Sequence, residues 1–414
     1  MFQALPSPVR AGSEPGRLAF ESTIRSMKAR GLAHRIAEDA HLDGRIVTLD
    51  GRGLVNYGSC SYLGLEMDVR LKVAACDAVM RYGTQFSSSR AYLSAPLYRQ
   101  CEERLSAMAG GCSVVLAQTT SLAHLAALPV LIDDGDAVLY DLHVHSSVLA
   151  VLPTLRQRGI ACQSVGHAGL GHLERRARAL AARHRRVFYL CDGVYSMHGS
   201  ILDVQALRGV LDRVPALSAY VDDAHGVGWS GRFGSGTVLG GGAGLHQRMI
   251  VVLGLSKAFA ACGGALVFPS ADLAERVLHC GSTLIFSGPL QPAQLGACAA
   301  SALLHLSPEL PPLQARLRER IAAFDDHAAR EGVDVLSRDV TPIRMVPVGD
   351  EERTMRLAED LLVDGRFVNV AVFPAVAAGR GSIRIMLNNH HTLPDVRGIV
   401  ETIARSLAMR PSRW

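Results

Sequence analysis

Short runs of apolar and β-branched residues alternate with amphipathic stretches from about Val47 to Pro269. The runs predict β-strands, and the stretches between them predict helices that cross from one strand to the next. The clearest strands are Ser113–Ala117, Ala137–Tyr140, Arg186–Cys191, Ala219–Asp222, Met249–Leu253 and Ala265–Phe268. This alternation is typical of an α/β fold whose mostly parallel sheet is covered by helices on both faces. Such sheets bind ligands at the carboxyl ends of their strands.

Proline-rich and polar positions divide the rest of the chain. An amphipathic helix is predicted from about Glu21 to Ala40, and another from about Pro292 to Leu306. The clearest internal boundary is Ser307–Pro312, and a further helix is predicted near Gln314–Glu331. The predicted parts are an N-terminal arm and helix (1–46), a large domain (47–291), and a connecting helix with a small C-terminal α/β domain (292–414).

Composition excludes several classes of protein. The 414 residues are 49% hydrophobic and 20% charged, which is typical of a globular protein, and the net charge of +5 is too small to indicate nucleic-acid or membrane binding. Nine cysteines without a CxxC pair favour reduced thiols in a cytoplasm. We expect no membrane span, because no uncharged apolar run approaches about 18 residues. Met1–Phe20 lacks the apolar stretch of a signal peptide.

Lysine is rare in this chain. Only three of the 43 basic residues are lysines, and Lys28 and Lys72 lie in polar, helical stretches. Lys257 instead follows an apolar strand and precedes the glycines at 263 and 264. A buried lysine can lose its proton and act as a nucleophile, whereas arginine cannot. Taken alone, Lys257 fits equally well a lysine that reaches solvent from a strand end.

A second segment places Asp222 at the end of a strand, with His225 three residues later and a glycine-rich loop up to Gly236. Taken alone, this segment is an ordinary strand-to-loop transition with a capping aspartate. Together with Lys257 it matches the needs of pyridoxal phosphate. The aldehyde of that cofactor needs a lysine, its pyridinium nitrogen needs an anion, and its phenolic oxygen needs a donor.

Short motifs follow one another in a fixed order between about Asn56 and Leu407. They are Asn56–Leu65, Tyr82–Arg90, Asp141–His145, Asp192–Gly199, the Asp222 and Lys257 segments, and finally Phe373–Val376 with Ser382–Ile385. In this order they resemble the α-oxoamine synthase family of fold-type-I pyridoxal-phosphate enzymes. The resemblance implies a large domain with a mostly parallel sheet, a smaller C-terminal domain, and a homodimer with active sites at the subunit interface.

The resemblance also implies roles for the matching residues. Lys257 would form a Schiff base with the cofactor and later transfer a proton, and Asp222 would pair with the pyridinium nitrogen. His225, assisted by Ser196, would contact the phenolic oxygen. His145 would stack on the ring, although a histidine in a loop is the simpler interpretation of that residue alone.

The phosphate contacts depart from the family's pattern. Gly254 stands where the family carries threonine or serine three residues before the lysine. We therefore assign the phosphate to Thr119 and Thr120, at the start of a predicted helix, and to Ser256. Ser287 is a candidate contact from the neighbouring subunit.

The residues matched to the substrate site also depart from the family's pattern. Arg384 matches the arginine that binds the amino acid's carboxylate in a bidentate manner. Cys60 replaces an asparagine near the bound amino acid, and Arg90 lies in a stretch, Ser87–Pro96, that lacks the family's glycines. These changes favour a secondary metabolite or a signalling amino ketone as product. The acyl donor would be a thioester of coenzyme A or of a carrier protein.

The implied reaction is a decarboxylative condensation of an amino acid with an acyl thioester, giving an α-amino ketone, CO2 and a free thiol. An aminotransferase of the same fold would share Lys257 and Asp222 and remains an alternative. A non-catalytic scaffold subunit is a third interpretation, but such a subunit should lack the lysine. No HExxH motif or Cys/His grouping predicts a metal site.

Overall fold

The computed structural model describes residues 14–167, 169–373 and 375–409. Its helices are α1 (Glu14–Ala29), α2 (Val69–Tyr82), α3 (Leu97–Met108), α4 (Thr120–Leu131), α5 (Ser146–Leu149), α6 (Leu152–Gln157), α7 (Leu170–Ala181), α8 (Val204–Arg213), α9 (Gly236–Leu239), α10 (Ala271–Cys280), α11 (Ser282–Ile285), α12 (Pro292–His305), α13 (Leu310–Glu331), α14 (Glu351–Val363) and α15 (Leu393–Met409). Its strands are β1 (Ile46–Leu49), β2 (Arg52–Asn56), β3 (Ser113–Ala117), β4 (Ala137–Asp141), β5 (Ala161–Val165), β6 (Val187–Asp192), β7 (Leu217–Asp222), β8 (Met249–Gly254), β9 (Gly264–Phe268), β10 (Ile343–Gly349), β11 (Arg366–Phe367), β12 (Asn369–Ala371) and β13 (Gly381–Met386).

These elements form two compact units. The first comprises residues 63–196 and 201–314, and the second comprises the described residues of 1–62, 197–200 and 315–414. The units divide the chain at Gln314, inside α13, whereas the predicted domain bounds fall at 46 and 291. None of the helices in the described ranges is long and apolar enough to cross a membrane.

A seven-stranded sheet with the order β3-β9-β8-β7-β6-β4-β5 is the centre of the first unit. The neighbours from β8 to β5 pair in parallel, and β9 pairs antiparallel with both β8 and β3. β6, β8 and β9 are buried along their whole length. Strands covered on both faces have no solvent side for polar residues, which explains the continuous apolar runs. The predicted α/β fold with a mostly parallel sheet is confirmed.

Three neighbouring parallel strands of this sheet each end in an aspartate. β4 ends at Asp141, β6 at Asp192 and β7 at Asp222, and the last two are register partners. The carboxyl ends of parallel strands meet at one edge of the sheet, so these carboxylates lie side by side there. This is the edge at which ligands bind to such sheets.

The second unit contains two small sheets. One has the order β10-β13-β12 with antiparallel pairing, and the other has the order β1-β2-β11. All residues of β13 are buried except Arg384, which is half-buried. Arg384 is therefore the one position of this strand that is not fully buried.

The first helix differs from its prediction. α1 runs from Glu14 to Ala29 rather than from about Glu21 to Ala40. It ends there because Gly31 adopts a left-handed conformation (φ +71°), in which the N–H groups of residues 31 and 32 bond to carbonyls of the last helical turn. Residues 1–13 of the predicted arm lie outside the described residues, as does Pro374 of the Phe373–Val376 motif.

The predicted boundary at Ser307–Pro312 is shorter than expected. α12 ends at His305 and α13 begins at Leu310, four residues before the predicted start at Gln314. Pro311 and Pro312 consequently lie in the first turn of α13. Proline is tolerated there because the first N–H groups of a helix have no partner within the helix.

Candidate active site

Asp222 is the last residue of β7, and its carboxylate is almost fully buried. Its Oδ2 lies 3.0 Å from Nε2 of His124, and its Oδ1 accepts a hydrogen bond of 3.0 Å from the backbone N–H of Ala224. Burial alone would raise the pKa of Asp222. The hydrogen bond and electrostatic attraction of His124, the attraction of Lys257 and the Ala224 N–H outweigh burial and lower that pKa to about 2. A buried, ionised carboxylate therefore stands at the carboxyl end of the sheet.

The adjacent Asp223 is bound differently. It accepts hydrogen bonds from the hydroxyl of Thr237 (2.7 Å) and from the backbone N–H of Val238 (3.1 Å). Burial raises the pKa of Asp223 to about 7, although these hydrogen bonds oppose the rise. Of the two neighbouring carboxyl groups, Asp222 is therefore the anion at neutral pH that the chemistry requires.

Lys257 follows β8 by three residues and is half-buried. Its carbonyl accepts a hydrogen bond of 2.9 Å from the N–H of Ala260. Ala260 adopts a left-handed conformation (φ +56°), which costs a residue with a Cβ about 1 kcal/mol. The charge of Lys257 favours the ionised forms of both Asp222 and Asp192. The structure thus brings Lys257 within electrostatic reach of the predicted cofactor anion.

Close packing explains why Gly254, the last residue of β8, has no side chain. A Cβ at this position would lie 2.6 Å from the Cβ of Ala224 and 2.9 Å from its Cα. Its register partner in β9, Gly264, is equally confined, since a Cβ there would lie 2.8 Å from the backbone nitrogen of Thr120. A hydroxyl side chain does not fit at position 254. Phosphate contacts must therefore come from other residues.

The predicted phosphate residues lie in three segments of the first unit. Thr119 caps α4, because its hydroxyl accepts a backbone N–H of the first turn at 3.1 Å. Thr120 is half-buried, and Ser256 is exposed next to Lys257. The hydroxyl of Ser287 donates to Oε1 of Gln118, the residue before Thr119, at 3.3 Å. Ser287 thus lies beside the start of α4 within a single chain.

His145 lies after β4 and caps α5, with its side chain exposed. Its Nδ1 is 2.6 Å from Oγ of Ser147, and its backbone N–H donates to Oδ1 of Asp192 at 3.1 Å. Burial, together with the negative charge of Asp222, raises the pKa of Asp192 well above its usual range. The imidazole of His145 is therefore anchored at the same edge of the sheet and presents its ring outwards.

His225 and Ser196 complete the predicted cofactor-binding residues. His225 is buried in the turn after β7, and its carbonyl accepts the indole N–H of Trp229. Ser196 is half-buried in the loop after β6. Because β6 and β7 are parallel neighbours, both loops leave the sheet at the edge where Asp222 lies.

Arg90 does not fit its predicted role as a substrate contact. Its Nη1 donates to the carbonyl of Leu116 (2.7 Å), and its Nη2 donates to Glu102 (2.9 Å). The guanidinium also lies 4.1 Å from the centre of the Tyr98 ring, and only 8% of the side chain is exposed. Its charge is neutralised inside the protein, so the role that the geometry supports is structural.

Cys60 and Arg384 belong to the second unit, where they surround one buried hydroxyl. Burial raises the pKa of Tyr62 well above its usual range, Cys60 raises it further, and the charge of Arg384 opposes the rise. The Tyr62 hydroxyl also contacts Sδ of Met386 at 3.8 Å. The two predicted substrate residues therefore lie near each other.

The sequence does not predict the role of His124, the residue that binds Asp222. It is fully buried in α4, and its partners Tyr220 and Asp222 lie 96 and 98 residues further along the chain. No local spacing indicates such a contact. The one available signal is a single histidine within the apolar stretch Ala123–Leu131.

This set of groups fits pyridoxal phosphate. Asp222 could pair with a protonated ring nitrogen, Lys257 could react with the aldehyde, His145 could offer an aromatic face, and the N–H groups at the start of α4 could bind a phosphate. Across the described ranges, no group of three or more His, Cys, Asp or Glu side chains could hold a metal ion. The fold and the site together define a fold-type-I pyridoxal-phosphate enzyme.

Comparison with known proteins narrows this class. Residues 53–403 match the family described as aminotransferase class I and II. The 8-amino-7-oxononanoate synthase of Symbiobacterium thermophilum is 31% identical over 92% of this chain and 95% of that protein. The serine palmitoyltransferase of Sphingobacterium spiritivorum is 27% identical over 94% of this chain and 95% of that protein. A solved serine palmitoyltransferase structure with its pyridoxal-phosphate internal aldimine superposes with a TM-score of 0.86, at 21% identity over 94% of this chain and 97% of that one.

Within the aminotransferase class I and II family, the chain belongs to the α-oxoamine synthases. These enzymes depend on pyridoxal phosphate and join an amino acid to an acyl thioester with loss of CO2. The expectations of family, fold class and cofactor that followed from the ordered motifs are confirmed.

Proposed function

We propose that this chain condenses an amino acid with an acyl thioester and releases CO2, a free thiol and an α-amino ketone. The observation that supports this most directly is the buried carboxylate of Asp222, which is kept ionised at the end of β7 within reach of Lys257. Bound pyridoxal phosphate supplies an electron-accepting ring, and protonation of its nitrogen strengthens that capacity.

In this proposal Lys257 and Asp222 perform different tasks. Nζ of Lys257 would hold the cofactor through its aldehyde and would supply the base for the α-proton of the amino acid. Asp222 would hold a proton on the ring nitrogen. The charge of Lys257 favours the ionised form of Asp222, which is the form that pairs with a protonated ring nitrogen.

The remaining residues hold and orient the cofactor. His225 and Ser196 would donate to the phenolic oxygen, and the exposed ring of His145 would stack on the cofactor ring. Thr119, Thr120 and Ser256 bind the phosphate together with the N–H groups that open α4. Ser287 is proposed as a further phosphate contact from the same chain rather than from the neighbouring subunit, because its hydroxyl bonds to Gln118 next to Thr119. Gly254 contributes no side chain, since its surroundings leave no space for one.

Substrate recognition is assigned to the second unit. Arg384 binds the carboxylate of the amino acid through two N–H groups, and Cys60 contacts the side chain of that substrate. Cys60 and the Ser87–Pro96 stretch depart from the family's usual sequence. We therefore propose an amino ketone of secondary metabolism or signalling as the product, with the acyl group carried by coenzyme A or a carrier protein.

We also propose a cytoplasmic homodimer. Tyr92, Leu93 and Phe286 expose 87%, 60% and 86% of their surface, and their loops are joined by a hydrogen bond from Ser89 to the Ile285 carbonyl. Exposed apolar side chains grouped in this way are typical of protein interfaces. The cysteines in the described residues are free thiols, which supports a reducing compartment. Light scattering should give twice the chain mass, and Phe286→Glu should lower it.

The experiment that tests the activity is mass spectrometry of the products formed from a matrix of amino acids and acyl thioesters. We expect one pair to give an α-amino ketone, with one CO2 and one free thiol for each product molecule. Lys257→Ala should abolish the product. Lys72→Ala is the matched control, since Lys72 is exposed on α2, and it should leave the rate unchanged.

Formation of a 2-keto acid without CO2 would contradict the proposal and identify an aminotransferase. Failure of the wild-type protein to bind pyridoxal phosphate would identify a scaffold subunit. Turnover of alanine with pimeloyl-CoA, or of glycine with succinyl-CoA, at ordinary enzyme rates would contradict only the assignment to secondary metabolism.

A further inference from the structure

His124 is a buried residue beside Asp222 for which the proposed function has no role. It lies on α4 among fully buried alanines such as Ala123 and Ala127. A polar ring in such surroundings costs free energy unless its nitrogens are hydrogen-bonded. Both ring nitrogens of His124 have partners, which shows that this residue is placed to make specific bonds.

Its two partners lie on the same face of one strand. Tyr220 and Asp222 are two residues apart on β7, so their side chains point to the same side. Nδ1 of His124 is 2.9 Å from the Tyr220 hydroxyl, and Nε2 is 3.0 Å from Oδ2 of Asp222. The ring of His124 also meets the ring of Tyr220 edge-on, at 5.7 Å and 70°. These contacts fix both the position and the rotation of the imidazole.

Asp222 also defines one hydrogen of the imidazole. An ionised carboxylate only accepts hydrogen bonds, so Nε2 must carry the hydrogen that points to Asp222. Tyr220 is fully buried, which raises the pKa of its hydroxyl well above the usual range, and its oxygen lies beside Nδ1 as the second hydrogen-bond partner of the imidazole. The imidazole thus gives Asp222 a buried hydrogen-bond donor at Nε2.

We propose that His124 is a positioning residue: with Tyr220 it keeps Asp222 ionised and oriented, so that Asp222 holds the proton on the cofactor's ring nitrogen. This inference rests on the proposed function and adds a residue to it. Three other charged groups interact with Asp222: Lys257 favours its ionised form, and Asp222 in turn raises the pKa values of Asp192 and Asp223. All three stay unchanged in the variants chosen for the test.

The test uses the full-length protein with ¹⁵N-labelled pyridoxal phosphate. His124→Leu removes the donor at similar volume, His124→Gln keeps an amide N–H near the position of Nε2, and Tyr220→Phe removes only the hydroxyl. The measurements are the dissociation constant of the cofactor and the pH profile of the ring-nitrogen chemical shift, which reports directly whether that nitrogen is protonated. Circular dichroism verifies folding.

We expect His124→Leu to weaken cofactor binding by about 10- to 100-fold, which corresponds to the loss of a hydrogen bond to a charged group. The ring nitrogen should then lose its proton at lower pH than in the wild type. His124→Gln should recover most of both effects, and Tyr220→Phe should show a smaller change in the same direction. A general packing defect would not shift the nitrogen's titration and would not be rescued by glutamine.

Wild-type binding and nitrogen titration in His124→Leu would overturn the inference while leaving the proposed function intact. If that variant does not fold, the same result in Tyr220→Phe overturns it. A wild-type protein that does not bind the cofactor would overturn both proposals.

Discussion

Replacing Gly254 by serine should destabilise the protein rather than improve phosphate binding. The change restores the residue type expected from the family, but the new Cβ would lie 2.6 Å from the Cβ and 2.9 Å from the Cα of Ala224. Ordinary carbon contacts are about 3.5–4.0 Å, and an alanine has no side-chain rotation that could relieve the overlap. The glycine at 254 is therefore required by its neighbour.

Overpacking of this kind costs about 1–3 kcal/mol. For a unit of this size, at about 2 °C per kcal/mol, Tm should fall by about 2–6 °C. Ala224→Gly in the same chain should recover part of the loss, because it removes the Cβ contact but leaves the backbone contact. Gly135→Ser is the matched control, since a Cβ at Gly135 meets nothing within 4 Å. We expect that control to stay close to the wild-type Tm.

Scanning calorimetry with and without pyridoxal phosphate measures both effects. If Gly254→Ser melts at the wild-type temperature, or binds the cofactor more tightly than the wild type, the steric reasoning is refuted. If Ala224→Gly gives no recovery, the overlap with Ala224 is not the cause of the loss.

Three further predictions concern charged groups. Because the pKa of Asp223 is raised from 3.8 to about 7, the folded state binds its proton more tightly than the unfolded state. The stabilisation that comes from the protonated Asp223 is therefore lost as pH rises from about 4 to about 7. Urea titrations at several pH values should show that the difference in unfolding free energy between Asp223→Asn and the wild type changes over that window. Arg90→Met should destabilise the fold by about 3 kcal/mol, because it leaves Glu102 without its cation, and it should leave KM for the amino acid unchanged. Arg81→Ala, which removes an exposed ion pair, is the control and should cost almost no stability. Arg384→Lys should raise KM for the amino acid about tenfold or more, because lysine keeps the charge but not the two parallel N–H groups, and an unchanged KM would remove Arg384 from the site.

The sheet was predictable because its strands are covered on both faces. β8 and β9 are apolar throughout and stand out from their surroundings. β5 was not predicted, because it pairs on one side only and most of its residues are half-buried. The end of α1 depends on the left-handed conformation of Gly31. The amphipathic pattern continues past this glycine, so the pattern alone predicts a longer helix.

The site was predictable where a residue's position on a strand defines its place. Asp222 ends one strand, Lys257 follows another, and the carboxyl ends of parallel strands share one edge. The contacts of His124 and Arg90 depend on partners that chain position does not indicate. Arg90 bonds to Glu102, twelve residues away, and this pairing supports a structural role for it.

The backbone at Ala260 has a practical consequence for anyone who engineers this enzyme. Glycine at position 260 would remove the conformational cost of a Cβ in a left-handed turn, which stabilises the folded state. Glycine also increases the conformational entropy of the unfolded chain, which opposes this gain. The Tm would rise by the difference between the two effects. The same exchange would loosen the turn that carries the reactive amine. At residue 260, selection for thermal stability should therefore favour glycine, whereas selection for catalytic rate should favour alanine.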